Sequence, residues 1–248
     1  MLVDAQAELR PGPGMLTRYL EEHRFAALVA LCPPGLGQRD ALRAARADPS
    51  RVAVLGSPAG RWPHELADSL QAQLTDGLDG MALDADLVVA HPKLMDMVGL
   101  ARRLMLVRSK GPLGPVAARA LLGYLDRHPG AAVLLGDWAG VSTPDRLACG
   151  TPEAELVRCR QVRVVCAGPG PADSALGTWG RALLERAGWE RLVWGTAGEA
   201  PDTSWARILK VLHPGEDERE GLGAGHALSL LRAVLPAPRG FREPPAVV

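Results

Sequence analysis

Apolar residues along this chain fall into two kinds of segment. Short unbroken runs such as Ala26–Cys32 and Val162–Ala167 have the length of buried strands, and between such runs apolar residues recur every three or four positions. The helical spacing predicts helices over Met15–Arg24, Gln38–Ala47, His64–Leu74, Lys93–Val107, Val116–Arg127, Ala175–Ala187, Trp205–Leu212 and His226–Val234. The unbroken runs predict strands at Phe25–Cys32, Arg51–Leu55, Asp86–Ala90, Ala131–Leu135, Leu156–Cys166 and Arg191–Trp194. In the last long run Arg158 and Arg160 should share one face. Breakers such as Pro11-Gly12-Pro13-Gly14 and Pro33-Pro34-Gly35 separate the elements. Strands alternating with helices point to an α/β architecture with some parallel pairing. The Gly-, Pro-, Ser- and Thr-rich stretch Gly136–Pro152 is a candidate hinge, and the Pro-rich tail Pro236–Val248 is expected to be loosely held.

Composition narrows this picture without changing it. With 248 residues, 47% hydrophobic and 23% charged, the chain belongs with folded proteins, and Ala, Val and Leu must fill a core in which only 4% of residues are aromatic. No apolar run approaches the roughly 18 residues that span a bilayer. The opening Met1-Leu-Val-Asp-Ala-Gln-Ala-Glu lacks the basic start of a secretory signal, so a chain that is not secreted, mitochondrial or cytoplasmic, is expected. Cys32, Cys149, Cys159 and Cys166 form no CxxC pair and read as reduced, small core residues.

Candidate chemistry is sparse. The six histidines are scattered, without metal-ligand spacing, and no GxSxG elbow, P-loop or GxGxxG is present. No catalytic residue, cofactor or metal is therefore expected. Two features remain. The run Val162–Ala167 leads into Gly168-Pro169-Gly170-Pro171, a loop that in a methyltransferase-like enzyme cradles a cofactor, although the prolines remove amides that would bind one. Between Asp96 and Asp126 there is no acid, while Arg102, Arg103, Arg108, Lys110 and Arg119 accumulate. Such a patch can hold phosphate even in a chain whose 28 cations balance 28 anions.

The segment Ala85-Asp-Leu-Val-Val-Ala-His-Pro-Lys-Leu-Met-Asp-Met-Val-Gly99 resembles the ribosomal protein L-one family, whose inserted second domain carries an Asp-Val-Val-Ile-Ala-x-Pro-x-x-Met-x-x-Val-Gly pattern. Arg24-Phe25, Arg51-Val-Ala-Val54, Val162–Gly168 and Leu192–Gly198 are weaker echoes in the same order. The resemblance implies a two-domain fold, a Rossmann-like domain over residues 51–150 inserted into an α+β domain built from 1–50 and 151–248. It implies a structural, non-enzymatic constituent of the large ribosomal subunit. Stalk ribosomal RNA and other large-subunit proteins would be its partners. Phe25, Thr196 and Gly198 would touch the RNA, and Arg102, Arg103, Arg108 and Lys110 would pair with phosphates. A transferase using Gly168–Pro171 and a non-catalytic interaction scaffold are the alternatives.

Overall fold

Among the described residues eight segments form strands: β1 (Val3–Glu8), β2 (Ala27–Leu31), β3 (Val52–Gly56), β4 (Gly80–Asp84), β5 (Leu104–Arg108), β6 (Val133–Leu135), β7 (Val162–Cys166) and β8 (Leu192–Trp194). In this computed structural model, which describes residues 2–8, 15–32, 36–167 and 173–234, they pair in parallel and in sequence order within one sheet. Parallel neighbours need a crossover, and helices supply it. These are α1 (Met15–Glu22), α2 (Leu36–Ala47), α3 (Pro63–Thr75), α4 (Ala85–Ala90), α5 (Pro92–Leu100) and α6 (Pro115–Arg127). A four-residue turn, α7 (Asp137–Gly140), is followed by α8 (Pro152–Arg158), α9 (Asp173–Ala187), α10 (Pro201–Leu212), α11 (Glu216–Glu220) and α12 (His226–Val234). No helix among the described residues is long and apolar enough to cross a membrane.

Alternation along the strands sorts side chains into two layers. Leu28, Val54, Met81, Leu83, Met105, Val107, Val133, Val164 and Trp194 pack outward against helix residues such as Leu70, Met95, Leu121 and Ile208. Ala27, Val29, Ala53, Leu55, Ala82, Leu106, Leu134, Val165 and Val193 point inward and fill the space that the curled sheet encloses. The many inward alanines explain how a core with few aromatics closes. The π-helical turn Gly221–Gly225 and α12 add Ala224, Ala227, Leu230 and Leu231 to this inner layer. His226 Nδ1 lies 3.0 Å from the carbonyl of Leu192, the first residue of β8, so these elements stop the N-terminal end of the barrel.

Between β8 and β1 the barrel is fastened chiefly by side chains. The Ala197 N–H donates to the Gln6 carbonyl at 2.7 Å. Beside it the fully buried Asp4 carboxylate accepts from the Thr196 amide (3.0 Å), the Thr196 hydroxyl (2.7 Å), the Gln6 amide (3.1 Å) and the Tyr19 hydroxyl (3.0 Å). Gly195 permits the approach, since a Cβ there would stand 3.0 Å from the Gln6 nitrogen.

This architecture corrects the two-domain expectation. β2 pairs with β3 and β6 with β7, so one sheet runs unbroken past residues 50 and 150, and no Rossmann-like module is set into an α+β domain. The source of the error is local. Asp86–Ala90 is helix α4, and the strand is Gly80–Asp84 just before it. The apparent helix Lys93–Val107 is α5 followed by β5. The break between them is a Schellman turn with Arg102 at φ 53°, its amide bonded to the Gly99 carbonyl and that of Arg103 to the Val98 carbonyl. Leu156–Cys166 likewise divides into the end of α8 and β7, which puts Arg158 on a helix. The segment carrying the ribosomal resemblance thus lies on two helices of the barrel's outer layer. Gly168–Pro171 and the tail Pro236–Val248 lie outside the described residues.

Candidate active site

The C-terminal ends of the eight strands open at one mouth, and three of them present charged side chains inward. Asp84 ends β4 and Arg108 ends β5, directly paired in register. Glu8 ends β1, and its inward orientation depends on a β-bulge. Asp4 pairs with Leu28 and Ala7 with Ala30, so Ala5 and Gln6 together oppose Val29. The extra residue turns Gln6 as well as Glu8 toward the mouth. Arg108 Nη2 donates to Asp84 Oδ1 at 2.9 Å, and Nη1 stands 4.0 Å from Glu8 Oε1. The Arg108 side chain is 32% exposed, while its Nε is buried without a partner.

A third carboxyl enters after β6. Asp137, Trp138, Ala139 and Gly140 have φ of 51°, 58°, 58° and 67°, a complete left-handed turn in which only the last residue is glycine. Each non-glycine residue in that region costs about 1–2 kcal/mol, so the surrounding packing must impose the shape. Trp138 is buried in the core, and its carbonyl accepts from Trp179 Nε1 at 2.9 Å. Gly140 presses on the loop after β5, where a Cβ would sit 2.0 Å from the Gly111 oxygen. The turn aims Asp137 at Gln6, whose Nε2 donates to Asp137 Oδ1 at 3.1 Å while the Asp137 amide donates to Gln6 Oε1 at 3.4 Å. Gly136 makes room for that amide, since a Cβ there would meet Gln6 Oε1 at 2.8 Å.

Burial pushes the Asp137 carboxyl up from its usual range. The Gln6 hydrogen bond pulls it back, Glu8 and Asp84 raise it further by repulsion, and Arg108 opposes them. The mouth therefore holds one fixed cation, two carboxylates close to it, and a third carboxyl that resists ionising. A carboxyl with a raised pKa near a guanidinium is equipment for general acid–base chemistry on a bound molecule.

The residues expected to touch RNA are not one surface. Phe25 and Thr196 are each 1% exposed, Phe25 among Tyr19, His23 and Trp194 and Thr196 bonded to Asp4. Arg102 and Arg103 precede β5 at the N-terminal end of the barrel, whereas Arg108 and Lys110 lie at its other end. Gly198, exposed at φ 82°, follows β8. Of the whole set only Arg108 belongs to the mouth cluster. Sequence reading missed Gln6, Glu8, Asp84 and Asp137. Glu8 and Asp84 end β1 and β4 and Asp137 follows β6, whereas Gln6 lies inside β1, and neither β1 nor β4 was announced by its apolar pattern.

No family model matches the chain, and no curated protein matches it. Solved structures do. One from Pseudomonas putida, described as a candidate 2-pyrone-4,6-dicarboxylic acid hydrolase, superposes with a TM-score of 0.65 at 20% identity over 95% of this chain and 98% of its own. The 2,6-dihydroxybenzoate decarboxylase from Rhizobium gives 0.62 at 13% over 93% and 98%. A dihydroxybenzoic acid decarboxylase from Polaromonas, solved with manganese and the inhibitor 2-nitroresorcinol, gives 0.56 at 15% over 88% and 85%. These neighbours overturn the ribosomal reading. They are not stalk proteins, so the expected ribosomal RNA, its protein partners, the ribosomal location and the absence of catalysis all fall with the two-domain fold. Neither the Gly168–Pro171 transferase nor the interaction scaffold finds support among them. By fold, this chain is a parallel eight-stranded TIM barrel similar to hydrolases and decarboxylases of small ring acids.

Proposed function

We propose that this chain is an enzyme whose active site is the C-terminal mouth of the barrel, and that it acts on a small carboxylated ring by acid–base chemistry, opening it as a hydrolase or removing its carboxyl group as a decarboxylase. The observation that carries the reading is Asp137, held by Gln6 on a strained turn beside Arg108. Strain of this kind persists where function selects it, and barrel enzymes place their reacting groups at this end. The neighbours described as acting on dihydroxybenzoate and on a pyrone dicarboxylate supply the substrate class.

In this reading Arg108 receives the anionic group, because only one arm of its fork is engaged at hydrogen-bond distance, to Asp84. Asp137, whose buried carboxyl holds its proton more firmly than an ordinary aspartate, delivers it to a ring atom. In decarboxylation that proton takes the place of the departing carboxyl group, whose bonding electrons stay with the ring as carbon dioxide leaves. Gln6 keeps the Asp137 oxygen in line. Glu8 and Asp84 hold Arg108 and disfavour the negative charge on Asp137.

Manganese in the Polaromonas enzyme raises the question of a metal here. Among the described residues no group of three or more His, Cys, Asp or Glu is arranged to hold an ion. The carboxylates at the mouth face a guanidinium, and no histidine stands among them. The donor set does not fit, and no step is routed through a metal.

The test is a panel of dihydroxybenzoates, carboxylated phenols and pyrone dicarboxylates, followed by the change in ultraviolet spectrum and, for the first two classes, by release of carbon dioxide. Wild type should turn over at least one member. Asp137→Asn should bind it by calorimetry yet lose roughly 10²–10⁴ in kcat. Silence across the panel in both turnover and binding, or an Asp137→Asn enzyme as fast as wild type, overturns the reading.

A further inference from the structure

The charge layout of the mouth carries one step more, resting on the reading of that mouth as the active site. We propose that Arg108 is the resident cation of this barrel and that its mouth works without a divalent ion. A divalent site in a protein needs convergent anionic or imidazole ligands free to turn toward one point. Here those ligands are already engaged. Asp84 is paired with Arg108 at 2.9 Å, Glu8 faces the other arm at 4.0 Å, and one Asp137 oxygen accepts from Gln6 at 3.1 Å.

Among the described residues no group of three or more His, Cys, Asp or Glu is placed to hold an ion, and three of the histidines have other partners. His128 pairs with Asp96 at 3.0 Å on the outer helices, His226 contacts the Leu192 carbonyl, and His23 stacks on Tyr19 and Phe25. An ion entering the mouth would also meet the guanidinium. Its repulsion offsets the pull of the two carboxylates that face it. Moving Arg108 aside would break its ion pair with Asp84.

Fixed and mobile cations differ in consequence. A guanidinium cannot ligate water and lower its pKa as a metal does, so proton transfer must come from a side chain, and Asp137 is the one at hand. The same cation tunes that carboxyl, since Arg108 is the positive group acting on Asp137 against Glu8 and Asp84.

The experiment reads binding and titration, so it stands apart from turnover. The full chain, cleared of metal with a chelator, is titrated with manganese chloride by calorimetry and by the electron paramagnetic resonance of free manganese. We expect no saturable binding up to about 1 mM and an unchanged melting temperature. One equivalent bound, and lost in Asp84→Asn or Glu8→Gln, overturns the proposal. In parallel the Asp137 carboxyl carbon is titrated by NMR in wild type, Arg108→Met and Arg108→Lys. Arg108→Met should move the Asp137 midpoint upward and Arg108→Lys should restore most of the difference. An unmoved midpoint in a folded Arg108→Met protein denies Arg108 its role. If the panel of ring acids is silent while manganese is still refused, the substrate reading fails and this one stands.

Discussion

Replacing Asp4 with alanine tests the seam that closes the barrel. The carboxylate takes four hydrogen bonds, two from the amides of Gln6 and Thr196 and two from the hydroxyls of Thr196 and Tyr19. Alanine leaves both amides buried and unpaired, at about 1–3 kcal/mol each. The hydroxyls stand 3.4 Å apart and can turn to each other, so they add little. Removing a buried carboxyl gives something back, since burial holds its pKa up and marks a cost of ionisation. The net expectation is a loss of roughly 2–4 kcal/mol, set by the two orphaned amides. In a domain of this size that corresponds to a fall of about 4–16 °C in melting temperature. Asp4→Asn keeps an oxygen for the amides and offers its NH₂ to the hydroxyl oxygens, so it should cost about 1 kcal/mol or less. Urea unfolding at pH 7 followed by tryptophan fluorescence measures both, with Trp194 beside the seam as reporter. Alanine within 1 kcal/mol of wild type, or asparagine as damaging as alanine, would refute the seam.

Other perturbations separate shape from charge. Gly140→Ala combines a positive φ with a Cβ 2.0 Å from the Gly111 oxygen, so urea unfolding should show a loss of several kcal/mol, of which about 1–2 is backbone strain. Asp137 has a raised folded pKa, so its contribution to stability is present at low pH and lost as pH rises through that folded value. The stability of wild type minus that of Asp137→Asn should therefore fall between pH 4 and pH 8 in paired urea titrations, and a rise would reverse the assigned shift. Thiol labelling of the native protein should find the exposed Cys149 first and the half-buried Cys159 next, while Cys32 and Cys166, both in the barrel wall, react only on unfolding. Burial pushes the Cys32 thiol up to about 11, which slows it further.

Helices with a long apolar face, α3 and α6 among them, were legible in the sequence within a residue or two, and so were β2, β3 and β6 to β8 in part. The barrel was not, and the reasons are particular. β1 reads Val-Asp-Ala-Gln-Ala-Glu, too polar for a buried strand, because Asp4 is spent on the seam and Gln6 and Glu8 on the mouth. β5 was absorbed into a helix since Leu104 continues the spacing of Leu94, Met97 and Val98, and the turn between them uses Arg102 where glycine would have announced it. α8 had a usable signal that went unread, with Thr151 capping the Ala154 amide and Pro152 in the first turn. With β1 and β5 missing and a helix read as the strand in place of β4, the eightfold repeat was hidden, and the inserted module came from the family resemblance. The charged cluster was invisible for the same reason. Glu8, Asp84, Arg108 and Asp137 share no local spacing and meet only through the order of the strands.

The odd residue in β1 sets the parity of everything downstream in that strand. Trimming Ala5 would leave five residues opposite Ala27–Leu31 and keep Glu8 beside Leu31 on the inner wall. Keeping all six residues but pairing them without the bulge, Val3 still opposite Ala27, would set Glu8 opposite Cys32 on the outer wall. The arginine would then face one acid fewer, and a hydrophobic layer would inherit a charge. One strand thus has two registers, and only the irregular one brings this acid to the mouth.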